Sequence, residues 1–131
     1  MVFNIFVSND DDPLRNHGFV RDPRLSGWRM SPLYDVVPRP GLAQERYLHL
    51  AVGTQGKLAT LDNALTQHTA FALERPEALA LIHQVWLVVR QWRVHFETFG
   101  VTERLVDQMA LAIRELGDVA NRTLESEIRR L

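Results

Sequence analysis

Apolar residues change their spacing near position 60 of this 131-residue chain. Before it the apolar runs are short, and five of the six prolines fall there among Gly and Asp turn signals. His17–Val20 and Trp28–Leu33 flank Arg21-Asp22-Pro23-Arg24-Leu25-Ser26-Gly27, a pattern that predicts a β-hairpin with a longish loop. Pro38-Arg39-Pro40-Gly41 breaks regular structure, and Tyr47–Val52 is expected to add one more short strand.

From Leu61 the period becomes helical. Leu61, Ala64, Leu65 and Phe71 predict a short first helix. Pro76 suits the first turn of a second, because its missing N–H has no intrahelical partner there. That helix is expected to run to about Phe99 through Leu79, Ile82, Val85, Trp86, Val89, Trp92 and Phe96, with the aromatics in the core. Gly100 is the expected C-terminal cap and Thr102 the next N-cap, after which one stripe from Leu105 to Ile128 reaches the end. The pattern predicts a mainly α protein: an N-terminal loop and short β-hairpin, then three or more packed helices. Residues 1–60 form the loop-and-hairpin segment and 61–131 the helical-bundle part of the same domain.

Composition narrows the classes. With 46% hydrophobic and 24% charged residues the chain has the material for a folded core, and no apolar run approaches the ~20 residues of a membrane span. Met1–Val7 lacks a basic flank and a cleavage-like tail, so it does not read as a signal peptide. Without cysteine there is neither a disulfide framework nor a thiolate metal site, and the cytoplasm is the expected setting. A net charge of −1 gives no reason to expect direct nucleic-acid binding or attachment to a membrane. Of the fifteen basic residues only Lys57 is lysine.

The candidate chemistry lies in Asn9-Asp10-Asp11-Asp12-Pro13-Leu14-Arg15-Asn16. Asp11 and Asn16 stand in the D-x-x-x-x-N spacing of a phosphoryl-transfer loop. There an aspartate accepts the proton of an attacking hydroxyl, and an asparagine oxygen is a hard ligand suited to magnesium. Asp10 and Asp12 flank Asp11 and leave the register open by one residue. Asp35, in Ser31-Pro32-Leu33-Tyr34-Asp35-Val36, follows the hairpin, in the order loop, hairpin, metal-binding aspartate. There is no D-F-G triplet. Gly53-Thr54-Gln55-Gly56-Lys57 fails the phosphate-loop pattern because Leu58 follows the lysine. The Asp10–Asp12 run lacks the glycine and glutamate of a calcium-binding EF-hand. His83 and His95 belong to no H-E-x-x-H pair and read as helix-surface or core residues.

Phe3-Asn4, Ser8-Asn9-Asp10-Asp11-Asp12, Leu14-Arg15-Asn16-His17-Gly18-Phe19 and Ser31-Pro32-Leu33-Tyr34-Asp35-Val36 together resemble the catalytic segment of HipA-like serine/threonine kinases, the toxins of toxin–antitoxin modules. The resemblance is specific over residues 3–36 and general in the helices. It implies Asp11 as catalytic base, Asn16 and Asp35 as magnesium ligands, and ATP and Mg2+ as cofactors. Pro13 departs from the family, which usually has histidine there. The family mechanism also needs a phosphate-covering loop and a lysine N-terminal to the base. Ten residues precede Asp11, and Lys57 follows Asp35. The chain is therefore expected to be a C-terminal lobe without the ATP-gripping half, with Met1 an internal methionine, and to be inactive alone. The expected partners are a HipB-like antitoxin, a separate N-terminal half, or a second copy meeting it around Phe3, Ile5 and Phe6. The alternative is a non-catalytic remnant serving as a partner-binding helical domain.

Overall fold

The computed structural model describes residues 1–131. Helix α1 (Val2–Val7) ends where Ser8 turns left-handed at φ 55° and its N–H reaches the Asn4 carbonyl. An irregular loop then leads into a 3-10 turn (Leu14–Asn16) and an antiparallel hairpin, β1 (Phe19–Asp22) and β2 (Gly27–Met30). The register runs from Phe19 opposite Met30 to Asp22 opposite Gly27, so the expected hairpin forms, but Arg21, Asp22 and Gly27 join the strands and the loop is shorter than the seven residues expected. At that turn the Asp22 carboxylate accepts from the Arg24 backbone and side chain and pairs with Arg29, and these bonds hold it below the usual carboxylate range.

The strand expected over Tyr47–Val52 shrinks to a single bridge, Tyr47 to Leu58. A tight turn joins Gly53 to Gly56 just beyond it, and Thr60 already caps the next helix, so the chain has no length for a ladder. Helix α2 (Leu61–Leu65) starts on the Thr60 hydroxyl, which accepts from Asn63 N–H, and a 3-10 turn (His68–Phe71) follows.

Helix α3 (Arg75–Val89) opens with a reciprocal Glu74/Glu77 capping box and Pro76 in its first turn. The single helix expected to reach Phe99 breaks at Arg90–Gln91, and α4 (Trp92–Thr98) follows. Burial explains the break. Val89 is the last core residue of α3 and α4 buries none, so Trp92 and Phe96 are half-buried, packed edge to face at 5.4 Å, rather than core. Gly100 takes the left-handed cap conformation at φ 71°. The expected continuous stripe is instead three separately started helices: α5 (Glu103–Ala110), α6 (Leu116–Val119) and α7 (Arg122–Arg129). Glu115 and Asp118 form a capping box for α6, and the Asn121 side chain accepts from Leu124 N–H to start α7.

One apolar core joins both halves of the chain. Ile5, Phe6, Leu48 and Val52 pack with Leu61, Ile82 and Trp86 and are closed over by Leu116, Val119, Leu124 and Ile128. This corrects the expectation that Ile5 and Phe6 lie at a contact with a second copy. They are 1% and 0% exposed, because α1 threads between α3 and α6, and only Phe3 of that set faces solvent. No helix is long and apolar enough to cross a membrane.

Candidate functional site

The site hangs from the C-terminal end of α1. The Asn4 side chain donates to Asp12 at 2.6 Å, and Asn9 returns its backbone N–H and its amide to Asn4. His17 Nε2 lies 3.1 Å from the other oxygen of Asp12. Asp12 is thereby spent on holding the loop. Pro13 precedes the 3-10 turn at φ −70° and its carbonyl accepts from Asn16 N–H at 2.9 Å. A proline therefore fits this position without costing the loop a hydrogen bond, since its fixed φ is the one required and its missing N–H is not used.

The hairpin brings a second segment back against the turn. Ser31 N–H donates to the Gly18 carbonyl at 2.8 Å, and the Tyr34 hydroxyl donates to the Arg15 carbonyl at 2.7 Å. A Cβ on Gly18 would meet the Ser31 hydroxyl at 3.1 Å, so the smallest residue lets the strands close. Asp35 then turns left-handed at φ 56°, a conformation aspartate tolerates better than most residues. That turn brings its carboxylate to Asn16. Asn16 Nδ2 donates to Asp35 Oδ2 at 3.0 Å, across 19 residues, and lies 3.5 Å from the Asp11 carbonyl.

Of the three loop aspartates, Asp10 pairs with Arg39 at 2.9 Å and Asp12 is bound as above. Asp11 is half exposed, and its carboxylate has only a loose approach from Arg39, at 3.9 Å. It is the loop carboxylate with the fewest protein partners. The hydrogen bond that Arg39 donates to Asp10, then the charges of Asp10, Asp11 and Asp35, hold the Arg39 guanidinium above its ordinary value.

No group of three or more His, Asp or Glu is arranged to hold a metal unaided. The donor chemistry nonetheless fits magnesium. Asp35 offers a carboxylate and Asn16 an amide oxygen, both hard donors, and magnesium characteristically takes only one or two protein ligands beside phosphate oxygens and waters. Rotating the Asn16 amide by half a turn exchanges its nitrogen and oxygen and turns Oδ1 toward Asp35, an arrangement a cation favours.

The glycine loop at 53–57 makes no phosphate cradle. The N–H groups of residues 53–56 are already taken: Thr54 N–H by the Thr66 hydroxyl, Gln55 N–H by Asn63 Oδ1, and those of Gly53 and Gly56 by each other's carbonyls. Arg39, Tyr34 and the Asn4–Asp12–His17 chain were not assigned roles from the sequence. The prolines on either side of Arg39 were the available signal.

Fold and site together define a small, mainly helical domain that presents an acidic loop and a hairpin-delivered aspartate at one end. A family model described as the HipA-like C-terminal domain matches residues 1–93, and the chain belongs to that family. No curated protein and no solved structure matches it.

Proposed function

We propose that this chain carries the base-and-metal side of a kinase cleft for transfer of phosphate from ATP to a protein serine or threonine. The hydrogen bond between Asn16 and Asp35 supports this reading most, because it joins the two residues that phosphoryl transfer would use as magnesium ligands. Asp11 is the base: its exposed carboxylate accepts the hydroxyl proton of the acceptor residue. Asn16 and Asp35 would hold Mg2+, which supplies neutralising charge for the phosphate oxygens. Asp12, Asn4 and His17 keep the loop rigid, and Tyr34 fixes the returning segment against it.

Within these 131 residues no lysine precedes Asp11, and Lys57 is exposed on the far side of Asp35 in sequence. The grip on the nucleotide must therefore come from another polypeptide segment, and we assign the chain alone no transfer activity. On this reading the chain would act in a cytoplasmic toxin–antitoxin setting. Calorimetry with ATP and Mg2+, run beside a radiolabel transfer assay, tests this. Expected are very weak ATP binding and no transfer by the chain alone, and transfer once a segment with a glycine-rich loop and a lysine is supplied. Transfer that persists in Asp11→Asn and Asp35→Asn would overturn the assignment.

One observation favours a second reading, a partner-binding domain without catalysis. The hairpin exposes Phe19, Trp28 and Met30 with neighbouring Leu33, an apolar surface the fold does not cover. A HipB-like antitoxin, or a second copy, would bury it. Under this reading Trp28→Ser abolishes partner capture while Asp11→Asn does not touch any phenotype of the intact system.

A further inference from the structure

The segment after Asp35 carries Arg39 between Pro38 and Pro40. Proline fixes its own φ near about −65° and forces the residue before it into extended conformations, so Pro-Arg-Pro presents a side chain on a stiff backbone. Arg39 N–H is tied to the Val7 carbonyl at 3.4 Å, at the very end of α1. The side chain is thus aimed from a fixed point at the acidic loop.

The guanidinium uses only one nitrogen there. Nη1 donates to Asp10 at 2.9 Å and approaches Asp11 at 3.9 Å, while Nε and Nη2 have no protein acceptor. Half of the side chain is exposed, and it lines a cleft of about 510 Å³ together with Ser8, Asp10, Arg46 and Tyr47. Arg46, the other cation on this cleft, is committed: it donates to Ser8 Oγ and to the carbonyls of Gly41, Ala43 and Leu111. Asp10 therefore anchors Arg39 through Nη1, the nitrogen that also approaches Asp11, while the fork of Nε and Nη2, suited to two oxygens of one phosphate, is left without a protein partner. Pro13, two residues after Asp11, offers no donor of its own at that place.

We infer that Arg39 is a phosphate-binding residue, anchored by Asp10, that receives the oxygens of a phosphate brought to Asp11. The inference rests on the kinase-cleft reading for its biological sense, but its geometry is that of Arg39 alone. It gives the site a cation within reach of the loop that no residue of the Asp11, Asn16 and Asp35 set provides.

Titration of the isotope-labelled 131-residue chain, followed by NMR of the arginine Nε–Hε signals and backbone amides, tests it. The probes are pyrophosphate with Mg2+, standing for nucleotide phosphates, and phosphoserine without metal, standing for a phosphorylated protein. Arg39→Ala is expected to weaken binding of at least one probe by about tenfold, Arg39→Lys to restore part of it, and Asp10→Asn to weaken it less. Which probe responds identifies the source of the phosphate. Asn16→Ala and Asp35→Asn separate the two claims. If they leave Mg2+-pyrophosphate binding intact while Arg39→Ala weakens it, the metal-ligand reading fails and the Arg39 inference stands. Equal binding by wild type and Arg39→Ala, or no response of the Arg39 signal to either probe, overturns the inference.

Discussion

At the scale of single residues, the site depends on a carboxylate held in an unusual backbone conformation. Asp35 at φ 56° needs a residue that accepts the left-handed region, and asparagine does so as readily as aspartate. Asp35→Asn should therefore leave the unfolding free energy within about 0.5 kcal/mol of wild type. Its loss should be chemical: thermal melts with and without Mg2+ are expected to differ for the wild type and to coincide for the variant. A wild-type melt indifferent to Mg2+ would argue against Asn16 and Asp35 as ligands. Asp35→Val is the contrasting case, since a β-branched side chain at positive φ is strained, and it should destabilise outright. The approach of Asp35 to Asn16 was legible in the sequence as the order of D-x-x-x-x-N, hairpin and aspartate, whereas their roles as ligands belong to the proposed function. Arg39 was not legible, because its partners lie 28 and 29 residues away and no spacing rule connects them. Nor could spacing alone choose among Asp10, Asp11 and Asp12. That choice turns on which carboxylates Arg39, Asn4 and His17 occupy.

Elements show where local pattern succeeds and where tertiary packing decides. The hairpin and the start of α3 follow their turn and capping residues, which act over a few positions. The break at Arg90–Gln91 was invisible because Trp92 and Phe96 keep helical spacing, and only the end of burial at Val89 stops the helix there. The loop at 53–57 gives a sharp test of its structural role. A Cβ on Gly53 would lie 2.0 Å from the Asn63 carbonyl oxygen, and Asn63 itself is fully buried. The Asn63 amide donates to the carbonyls of Gly56 and Leu58 while its oxygen accepts from Gln55 N–H. Gly53→Ala should cost about 1–3 kcal/mol or more through overpacking, and Asn63→Ala about 2–4 kcal/mol through unpaired backbone groups. Urea unfolding measures both, and a cost below about 0.5 kcal/mol for either would contradict the packing described. The hairpin carries its own pH dependence. Asp22 is held below its ordinary value by Arg24 and Arg29, so folding favours its ionised form. Its contribution is complete above about pH 4 and is lost as pH falls through the depressed folded value. Strand-to-strand NOEs between β1 and β2 should therefore weaken in acid for the wild type, whereas Asp22→Asn should show already-weakened pairing that does not change over the same range.

Across the whole molecule, the family match and the core do not share a boundary. The matched region ends at residue 93, yet the core it contains is closed by side chains beyond that point. Val106, Ala112, Leu116, Val119, Leu124 and Ile128 are all buried, and most belong to the same cluster as Ile5 and Phe6. Polar ties follow the same route. Arg114 N–H donates to the Phe6 carbonyl at 2.7 Å, Ser8 Oγ donates to Ala112, Arg75 pairs with Glu127 at 2.6 Å, and Asp62 accepts from Asn121. Two of these act on the last turn of α1, from which the acidic loop is suspended. Burying a Val, Leu or Ile side chain stabilises by about 1.5–3 kcal/mol, so the five larger residues of this set together contribute about 7.5–15 kcal/mol, as much as the about 5–15 kcal/mol of net stability that a domain has to lose. A chain ending at residue 93 is therefore expected not to fold, although it holds the acidic loop, the hairpin and every residue the family model matches. Circular dichroism and proton NMR of residues 1–93 should show loss of cooperative melting and collapsed amide dispersion, and Asp11, Asn16 and Asp35 should no longer share a magnesium-dependent response. Adding residues 94–131 as a separate peptide should restore part of the dispersion, since Leu116, Val119, Leu124 and Ile128 then complete the core without a covalent link. A cooperative, well-dispersed 1–93 fragment would mean that α6 and α7 cover a core already complete without them.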